Sequence, residues 1–211
     1  MKTYLFDFDG TLVDSMPTYV GVMLRILDEN NISYGSDIVK IITPLGYRGT
    51  AEYFVKMGLD KPVDDIVAKM NEYARYAYAN NIGAKEHVIE ALKQLKEEGC
   101  SLNVLTASPH TMLDPCLKRI GIYELFDNVW SCDDFGTTKA NPEIYKMAAE
   151  RICVPVNEVI FLDDNYNADK TAKEAGMVVF GVYDDSSAEF EGEMRELTDR
   201  YIKDFSELLE E

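Results

Sequence analysis

The chain opens with the sequence DFDGTLVDS at residues 7–15, directly after the apolar segment YLF at residues 4–6. Because successive side chains of a strand point to opposite faces, a strand through this stretch places Asp7 and Asp9 on one face and the phenylalanines on the other. Neighbouring carboxylates repel each other, so the pair favours a bound cation, or a proton shared between a nucleophile and an acid/base. An acidic turn that caps the next helix is the alternative reading.

Strand patterns alternate with helical patterns along the chain, which is typical of a parallel sheet with helices on both sides. The predicted core strands are residues 4–8, 101–106, 129–131, 159–162 and 178–182. Pro109 and Pro142 mark predicted helix starts, with Ser108 and Asn141 as caps. We therefore predict an α/β fold class, a Rossmann-like parallel sheet core with three α/β/α layers.

The segment between the first two predicted strands has helical periodicity and no convincing strand. Its predicted helices cover residues 18–30, 36–42, 49–57 and 63–80. We predict two domains, a core of residues 1–14 and 85–211 and an inserted α-helical domain of residues 15–84. Ligands of open parallel sheets bind beyond the carboxyl ends of the strands, so residues at the ends of the first, second and fourth strands are expected to converge there.

The N-terminal motif resembles that of the haloacid dehalogenase superfamily, whose phosphatases open with Asp-x-Asp-Gly-Thr. The resemblance implies a later strand that ends in Thr or Ser, then a lysine ahead of a helix, then a second acidic cluster after another strand. Thr106, Lys139 and the pair Asp163-Asp164 supply these in that order. The chain looks similar to the branch of phosphoglycolate phosphatase and beta-phosphoglucomutase, whose members carry a helical cap at the insertion.

The resemblance also implies catalytic roles. Asp7 would be the nucleophile that forms an aspartyl phosphate, and Asp9 would protonate the leaving alcohol and then take a proton from water. The hydroxyl of Thr106 and the backbone N–H of Ala107 would bind phosphate oxygens, while Ser108 is expected only to cap a helix. An ordinary strand-to-helix turn is the alternative for this segment.

Lys139 is expected to bind phosphate and Asp7. The family writes Lys-Pro-x-Pro here, whereas this chain reads KANP at residues 139–142 and lacks the first proline. This departure lowers the rigidity of the loop but keeps the charge. Lys146 is the nearest alternative.

A Mg2+ site is implied at Asp7, Asp9, Asp163 and Asp164, since this hard cation prefers carboxylate and carbonyl oxygens. Asp164 falls where relatives place their principal metal ligand, and Asp163 would act directly or through water. Asp169 is either an acid that supports the site or a first-turn helix residue.

Arg48 is predicted to lie in a glycine-flanked loop, PLGYRGT at residues 44–50, and is a candidate contact to an anionic or sugar-like substrate. A surface pair with an acidic neighbour explains it equally well. Tyr73, Tyr76 and Tyr78 are expected to pack rather than to bind a ligand.

The formal net charge of −17 argues against nucleic acid as a partner and favours a monomer. No apolar run is long enough to span a membrane, and residues 1–3 lead directly into a strand, so we expect a cytoplasmic protein without membrane association. The four cysteines lack metal-ligand spacing and are expected to be reduced packing residues, without zinc. Glu189, Glu191, Glu193 and Glu196 are expected on a solvated helical face.

The leading functional prediction is a Mg2+-dependent phosphomonoester hydrolase that acts on a small phosphorylated metabolite, such as phosphoglycolate or a sugar phosphate. A sugar phosphomutase would use the same Asp7 and Asp9. A catalytically silent module that binds a phosphorylated ligand is a third possibility, which the complete set of motifs disfavours. Asp9 argues against dehalogenation, because displacing a halide requires no protonation of a leaving alkoxide.

Overall fold

A single parallel sheet forms the centre of the computed structural model, which describes residues 2–209. Its strands are β1 (Thr3–Phe6), β2 (Ser101–Thr106), β3 (Asn128–Ser131), β4 (Val159–Asp163), β5 (Val178–Val182) and β6 (Arg200–Ile202). They lie in the order β3-β2-β1-β4-β5-β6, and every neighbouring pair is parallel. The predicted α/β fold class is confirmed.

The helices alternate with these strands outside one insertion. They are α1 (Met16–Glu29), α2 (Ile38–Ile42), α3 (Gly46–Lys56), α4 (Val63–Asn80), α5 (Val88–Glu97), α6 (His110–Arg119), α7 (Glu143–Ile152), α8 (Tyr166–Ala175) and α9 (Glu191–Leu197). No helix in the described part of the chain is long and apolar enough to cross a membrane.

The chain divides into two compact units. One unit joins Met1–Asp14 to Gly83–Glu211 and contains the sheet, and the other is Ser15–Ile82. In the first unit, all four residues of β1 are buried, as expected for a central parallel strand covered on both faces. The second unit consists of α1 to α4 around a core of its own, which includes Met23, Phe54 and Met70.

The strand β1 ends at Phe6, two residues earlier than predicted, so Asp7 and Asp9 lie beyond the strand. The physical reason is a tight turn. The N–H of Asp7 still donates to the carbonyl of Leu162 at 2.8 Å, but the carbonyl of Phe8 then accepts the N–H groups of the residues four and five positions on, at 2.9 and 3.1 Å. The motif therefore leaves the sheet before Phe8.

Other boundaries also differ from the predictions. The helix α3 begins at Gly46 rather than residue 49, which places Arg48 on a helix and not in a loop. Strand β6 was not predicted, because three residues are too few to show a period. Cys100, Cys116 and Cys132 are buried free thiols, whereas Cys153 is exposed at the end of α7, so the packing prediction is wrong for that one.

The remaining helix-end predictions have mixed outcomes. The side chain of Asn141 accepts the N–H of Glu143 at 3.1 Å, beside the start of α7. Ser108 does not cap α6, which has no side-chain cap. Glu189 lies in a 3-10 segment ahead of α9.

Tyr73 and Tyr78 are buried in the second unit, whereas Tyr76 is 65% exposed. The hydroxyl of Tyr73 donates to Glu29 at 2.5 Å within the same unit. The expectation of packing therefore fits two of these three tyrosines.

Truncating the central strand should lower stability strongly. Leu5 is fully buried in the sheet, so Leu5→Ala should reduce the free energy of unfolding by about 3 kcal/mol, through lost burial and the cavity left behind. Leu45 is 42% exposed, and Leu45→Ala is the matched control, with an expected cost below about 1 kcal/mol. Urea unfolding measures both, and equal costs would contradict the placement of β1 at the centre.

Candidate active site

Three buried carboxylates meet at the carboxyl edge of the sheet. Asp7 follows β1, Asp163 ends β4 and Asp164 comes next, and β1 and β4 are direct neighbours in the sheet. One carboxylate oxygen from each lies within 4.8 Å of the others. The side chains are almost inaccessible, with Asp163 only 1% exposed. The fold therefore concentrates negative charge where open parallel sheets bind their ligands.

Lys139 is the cation of this cluster. Its Nζ donates to Oδ1 of Asp7 and, at 2.8 Å, to Oδ2 of Asp163. The hydroxyl of Tyr145, on α7, donates to the carbonyl of Lys139 at 3.2 Å and fixes the loop. Lys146, the alternative from the sequence, instead pairs with Glu143 at 2.6 Å in an exposed contact.

Two carboxyl groups of the cluster, Asp7 and Asp164, have raised pKa values. Burial raises the pKa of Asp7 to about 7, with Lys139 opposing the shift and Asp163 adding to it. Burial, followed by the charges of Asp163 and Asp7, also raises the pKa of Asp164 well above its usual value. Burial alone would lower the pKa of Lys139, but Asp163 and Asp7 together raise it well above the usual value. The lysine is therefore charged, and one cation does not balance the cluster.

The donor set fits a divalent cation. Asp7, Asp163 and Asp164 offer hard carboxylate oxygens, the ligand type that Mg2+ prefers, and a metal ion would favour their ionised forms. Asp9 is not a member of this three-carboxylate group among the described residues. Its predicted role in metal binding stays a prediction.

A glycine is required where the N-terminal motif passes the cluster. Gly10 has a φ of +75°, and a Cβ added there would lie 2.5 Å from Oδ2 of Asp164. The next residue, Thr11, is fully buried, and its hydroxyl donates to Oδ1 of Asp164 at 3.0 Å. Thr11 is the last residue of the Asp-x-Asp-Gly-Thr motif, and its contact with Asp164 was not predicted.

Asp9 lies at a second part of the site, beside the end of β2. The hydroxyl of Ser108 donates to Oδ2 of Asp9 at 2.5 Å, and the N–H of Ser108 donates to Oγ1 of Thr106 at 3.0 Å. Thr106 is buried at the end of β2, and Ala107 is exposed on the following loop. The contact between Ser108 and Asp9 was not predicted, because a serine before Pro109 is also a typical helix cap.

Asp169 is fully buried in the first turn of α8, and neither of its carboxylate oxygens has a hydrogen-bond partner among residues 2–209. Burial and the charges of Asp163 and Asp164 raise its pKa well above the usual value. It is therefore not a solvated helix residue, and its electrostatics belong to the cluster.

Arg48 lies in the other compact unit. It pairs with Asp64 at 3.0 Å and with Glu52 at 3.7 Å, and its side chain is 68% exposed. These contacts are those of a surface ion pair. Its role in substrate binding stays a prediction.

A family model described as haloacid dehalogenase-like hydrolase matches residues 1–176, which include every core motif of the site. The chain belongs to this family. The resemblance inferred from the four motifs is thus confirmed, and the enzyme is a phosphatase of the haloacid dehalogenase type, acting on phosphorylated substrates.

Similar proteins agree with this placement. The pyrophosphatase PpaX of Bacillus velezensis is 29% identical over 179 residues, which cover 84% of this chain and 81% of that protein. A phosphorylated carbohydrates phosphatase of Thermotoga maritima is 24% identical over 86% of this chain and 85% of its own. A crystal structure of a putative beta-phosphoglucomutase from Thermotoga maritima has the same fold, with a TM-score of 0.85, 22% identity and coverage of 99% and 97% of the two chains.

The raised pKa of Asp7 predicts a pH-dependent stability in EDTA. Native Asp7 holds its proton up to a pH of about 7, whereas the unfolded group releases it near 3.8, so its stabilising contribution is present at low pH and is lost as the pH rises through 7. Asp7→Asn removes this loss. The stability of the variant relative to the wild type should rise by about 2 kcal/mol between about pH 5 and about pH 8.

Denaturant unfolding at each pH measures this difference. Asp60→Asn, at an exposed position of the other unit, is the control and should show no such trend. A difference between Asp7→Asn and the wild type that stays flat across this range would contradict the raised pKa.

A side chain at Gly10 should disrupt the cluster. Gly10→Ala adds both a left-handed backbone penalty and a close contact with Asp164, with an expected loss of about 3 kcal/mol or more. Gly136 also has a positive φ, +63°, but nothing lies within 4 Å of an added Cβ. Gly136→Ala should therefore cost only about 1–2 kcal/mol. Similar losses in thermal unfolding would show that Gly10 does not pack against Asp164.

Proposed function

We propose that this hydrolase is a Mg2+-dependent phosphomonoesterase that acts on a small phosphorylated metabolite through an aspartyl-phosphate intermediate. The observation that carries the proposal is the bridge of Lys139 between Asp7 and Asp163 inside the buried carboxylate cluster. This bridge orients the Asp7 carboxylate, and the carboxylates around it can still bind a metal cation. A purely structural ion pair would not require two further buried acids, Asp164 and Asp169, that have no cationic partner among residues 2–209.

Asp7 is the proposed nucleophile. It lies just beyond the central strand β1, and its backbone N–H donates to Leu162 of β4, which fixes the main chain that carries the carboxylate. The Lys139 ammonium binds one oxygen of this carboxylate, Oδ1. Attack of Asp7 on phosphorus would form the acyl phosphate and release the alcohol, a step that requires an in-line oxygen nucleophile.

Asp9 is the proposed acid and base. The hydroxyl of Ser108 binds its Oδ2 and thereby fixes the orientation of the carboxyl group. In this proposal Asp9 gives a proton to the leaving oxygen, then accepts one from the water that hydrolyses the acyl phosphate. Positioning by Ser108 supports the role, because general acid catalysis depends first on geometry.

The phosphoryl oxygens would be bound by Lys139, the hydroxyl of Thr106 and the backbone N–H of Ala107. Thr106 ends β2, and Lys139 comes after β3 in the chain. Both lie on the carboxyl side of the sheet, where these groups can surround one anion. Asp7, Asp163 and Asp164 would hold Mg2+, which supplies charge neutralisation for the phosphoryl group when bound. We further propose that Asp9 is a ligand of Mg2+ and that Arg48 contacts the substrate.

A small metabolite is the proposed substrate class, because a net charge of −17 disfavours nucleic acid. The relatives named for pyrophosphate and for phosphorylated carbohydrates point to small phosphate compounds of this kind. The shared sugar-phosphomutase fold makes transfer back to substrate the alternative that an assay has to distinguish.

Loss of the nucleophile should abolish turnover. Phosphate release is measured with phosphoglycolate, sugar phosphates, nucleotides and pyrophosphate, in Mg2+ and in EDTA. Asp7→Asn should reduce the rate at least about 1,000-fold on every accepted substrate, because the acyl phosphate cannot form. Asp60→Asn, an exposed substitution of the same type, should retain the wild-type rate.

Normal phosphate release by folded Asp7→Asn would overturn the mechanism. Full activity of the wild type in EDTA would overturn the role of Mg2+. Isomerisation of a sugar phosphate without phosphate release, in the presence of a bisphosphate primer, would establish the mutase instead.

A further inference from the structure

A second lysine, half-buried, contacts the N-terminal motif, and the proposed mechanism does not use it. Lys85 follows the inserted unit and precedes α5, and its side chain is 19% exposed. Its Nζ donates to the carbonyl of Gly10 at 2.7 Å, to the carbonyl of Tyr183 at 2.6 Å and to Oδ2 of Asp184 at 3.0 Å. All three donor positions of the ammonium group are therefore occupied.

These contacts connect two parts of the chain that meet at the carboxyl edge of the sheet. Tyr183 and Asp184 directly follow β5, while Gly10 belongs to the turn after β1. The backbone adds to the connection, because the N–H of Lys85 donates to the carbonyl of Leu12 at 3.0 Å. Lys85 thus holds the turn through both its main chain and its side chain.

The carbonyl that Lys85 binds lies at a sensitive point of the site. Gly10 separates Asp9, the proposed acid and base, from Thr11, which donates to Asp164. Gly10 itself is packed so closely against Asp164 that a Cβ would not fit. A rotation of the peptide group after Gly10 would therefore move Asp9 and Thr11 relative to Asp164.

Lys85 also carries charge into this region. Asp184 is a buried carboxylate, 6% exposed, and Oδ1 of Asp184 accepts the N–H and hydroxyl of Ser186 at 2.9 and 2.6 Å. After burial, Asp163 and Asp7, the charge of Asp184 is a further cause of the raised pKa of Asp164. The ammonium of Lys85 neutralises Asp184 at its other oxygen, so the pair adds little net charge to the cluster.

We propose that Lys85 is a positioning residue of this hydrolase, which holds the Gly10 carbonyl and through it sets the placement of Asp9 for proton transfer. This inference rests on the proposed function. It predicts that loss of the Lys85 ammonium slows turnover through misplacement of Asp9, while phosphate binding by Lys139 and Thr106 persists.

The test is Lys85→Met, which preserves length and apolar volume but cannot donate. We expect kcat to fall about 10- to 100-fold, the loss typical of a displacement of about 1 Å at a reacting group, with KM nearly unchanged. Amide hydrogen exchange should accelerate at Gly10, Leu12 and Val13, whose N–H groups close the turn. The exchange measurement needs no substrate, so it tests whether Lys85 holds the turn at Gly10 even if the phosphatase assay fails.

Two variants separate positioning from charge and from general stability. Asp184→Asn removes the ion pair but leaves both carbonyl contacts of Lys85, and it should keep kcat close to the wild-type value. Lys96→Met removes another lysine of the same unit, which pairs with Asp127 at 2.5 Å, and should change neither kcat nor exchange in the turn. If Lys85→Met does not fold, Lys85→Gln, whose shorter side chain cannot span both carbonyls, takes its place.

Unchanged exchange in the turn together with unchanged kcat in folded Lys85→Met would overturn the proposal. An equal fall of kcat in Asp184→Asn would overturn it as well, because charge compensation would then be the cause. A rise in KM at constant kcat would assign Lys85 to substrate binding instead. If the wild type has no phosphatase activity but Lys85→Met still shows faster exchange in the turn, the proposed function is refuted. The hold of Lys85 on the Gly10 carbonyl is then still supported.

Discussion

Repulsion among buried carboxylates is the constraint on which the site depends. Asp7, Asp163 and Asp164 lie within 4.8 Å of one another, in a place that water scarcely reaches, and Asp169 is buried nearby without a hydrogen-bond partner in the described chain. Lys139 compensates part of this charge, which makes it a structural requirement as well as the proposed phosphate ligand. Removing one partner of such a cluster leaves the other buried charges uncompensated, so the cluster behaves as a unit.

Much of this arrangement could be predicted from sequence, because the decisive residues sit in local patterns. The alternation of apolar strands with helices gave the sheet, and an acidic residue after a strand falls at the same edge as every other strand end. Asp7 and Asp163 lie at such strand ends, and so does Thr106, whereas Lys139 was predicted from its position ahead of a helix. The four motifs therefore identified the family before any contact was known.

Contacts that the sequence did not predict include those between residues far apart in the chain, where one partner belongs to no recognised motif. Ser108 binds Asp9 across 99 positions, and Lys85 reaches both Gly10 and Asp184, yet neither residue differs in type from an ordinary cap or surface lysine. The strand β1 ends earlier than the apolar alternation predicted, because the carbonyl of Phe8 accepts hydrogen bonds from the N–H groups of Leu12 and Val13 and forms a turn. At Arg48 a helix was missed, because the glycine-flanked stretch around it is typical of a loop but forms the start of α3.

The sheet order has a consequence for synthesis of the chain. The strand β1 is made first, yet its partners are β2 and β4, so Thr3 pairs with Ser101 and with Val159. At about 5–20 residues per second, the first strand waits roughly 5–20 s for its first neighbour and longer for its second. Non-local pairing of this kind is slow to form and leaves an apolar segment exposed meanwhile. The segment that carries Asp7, the proposed nucleophile, is thus also one that needs protection from aggregation while the chain is on the ribosome.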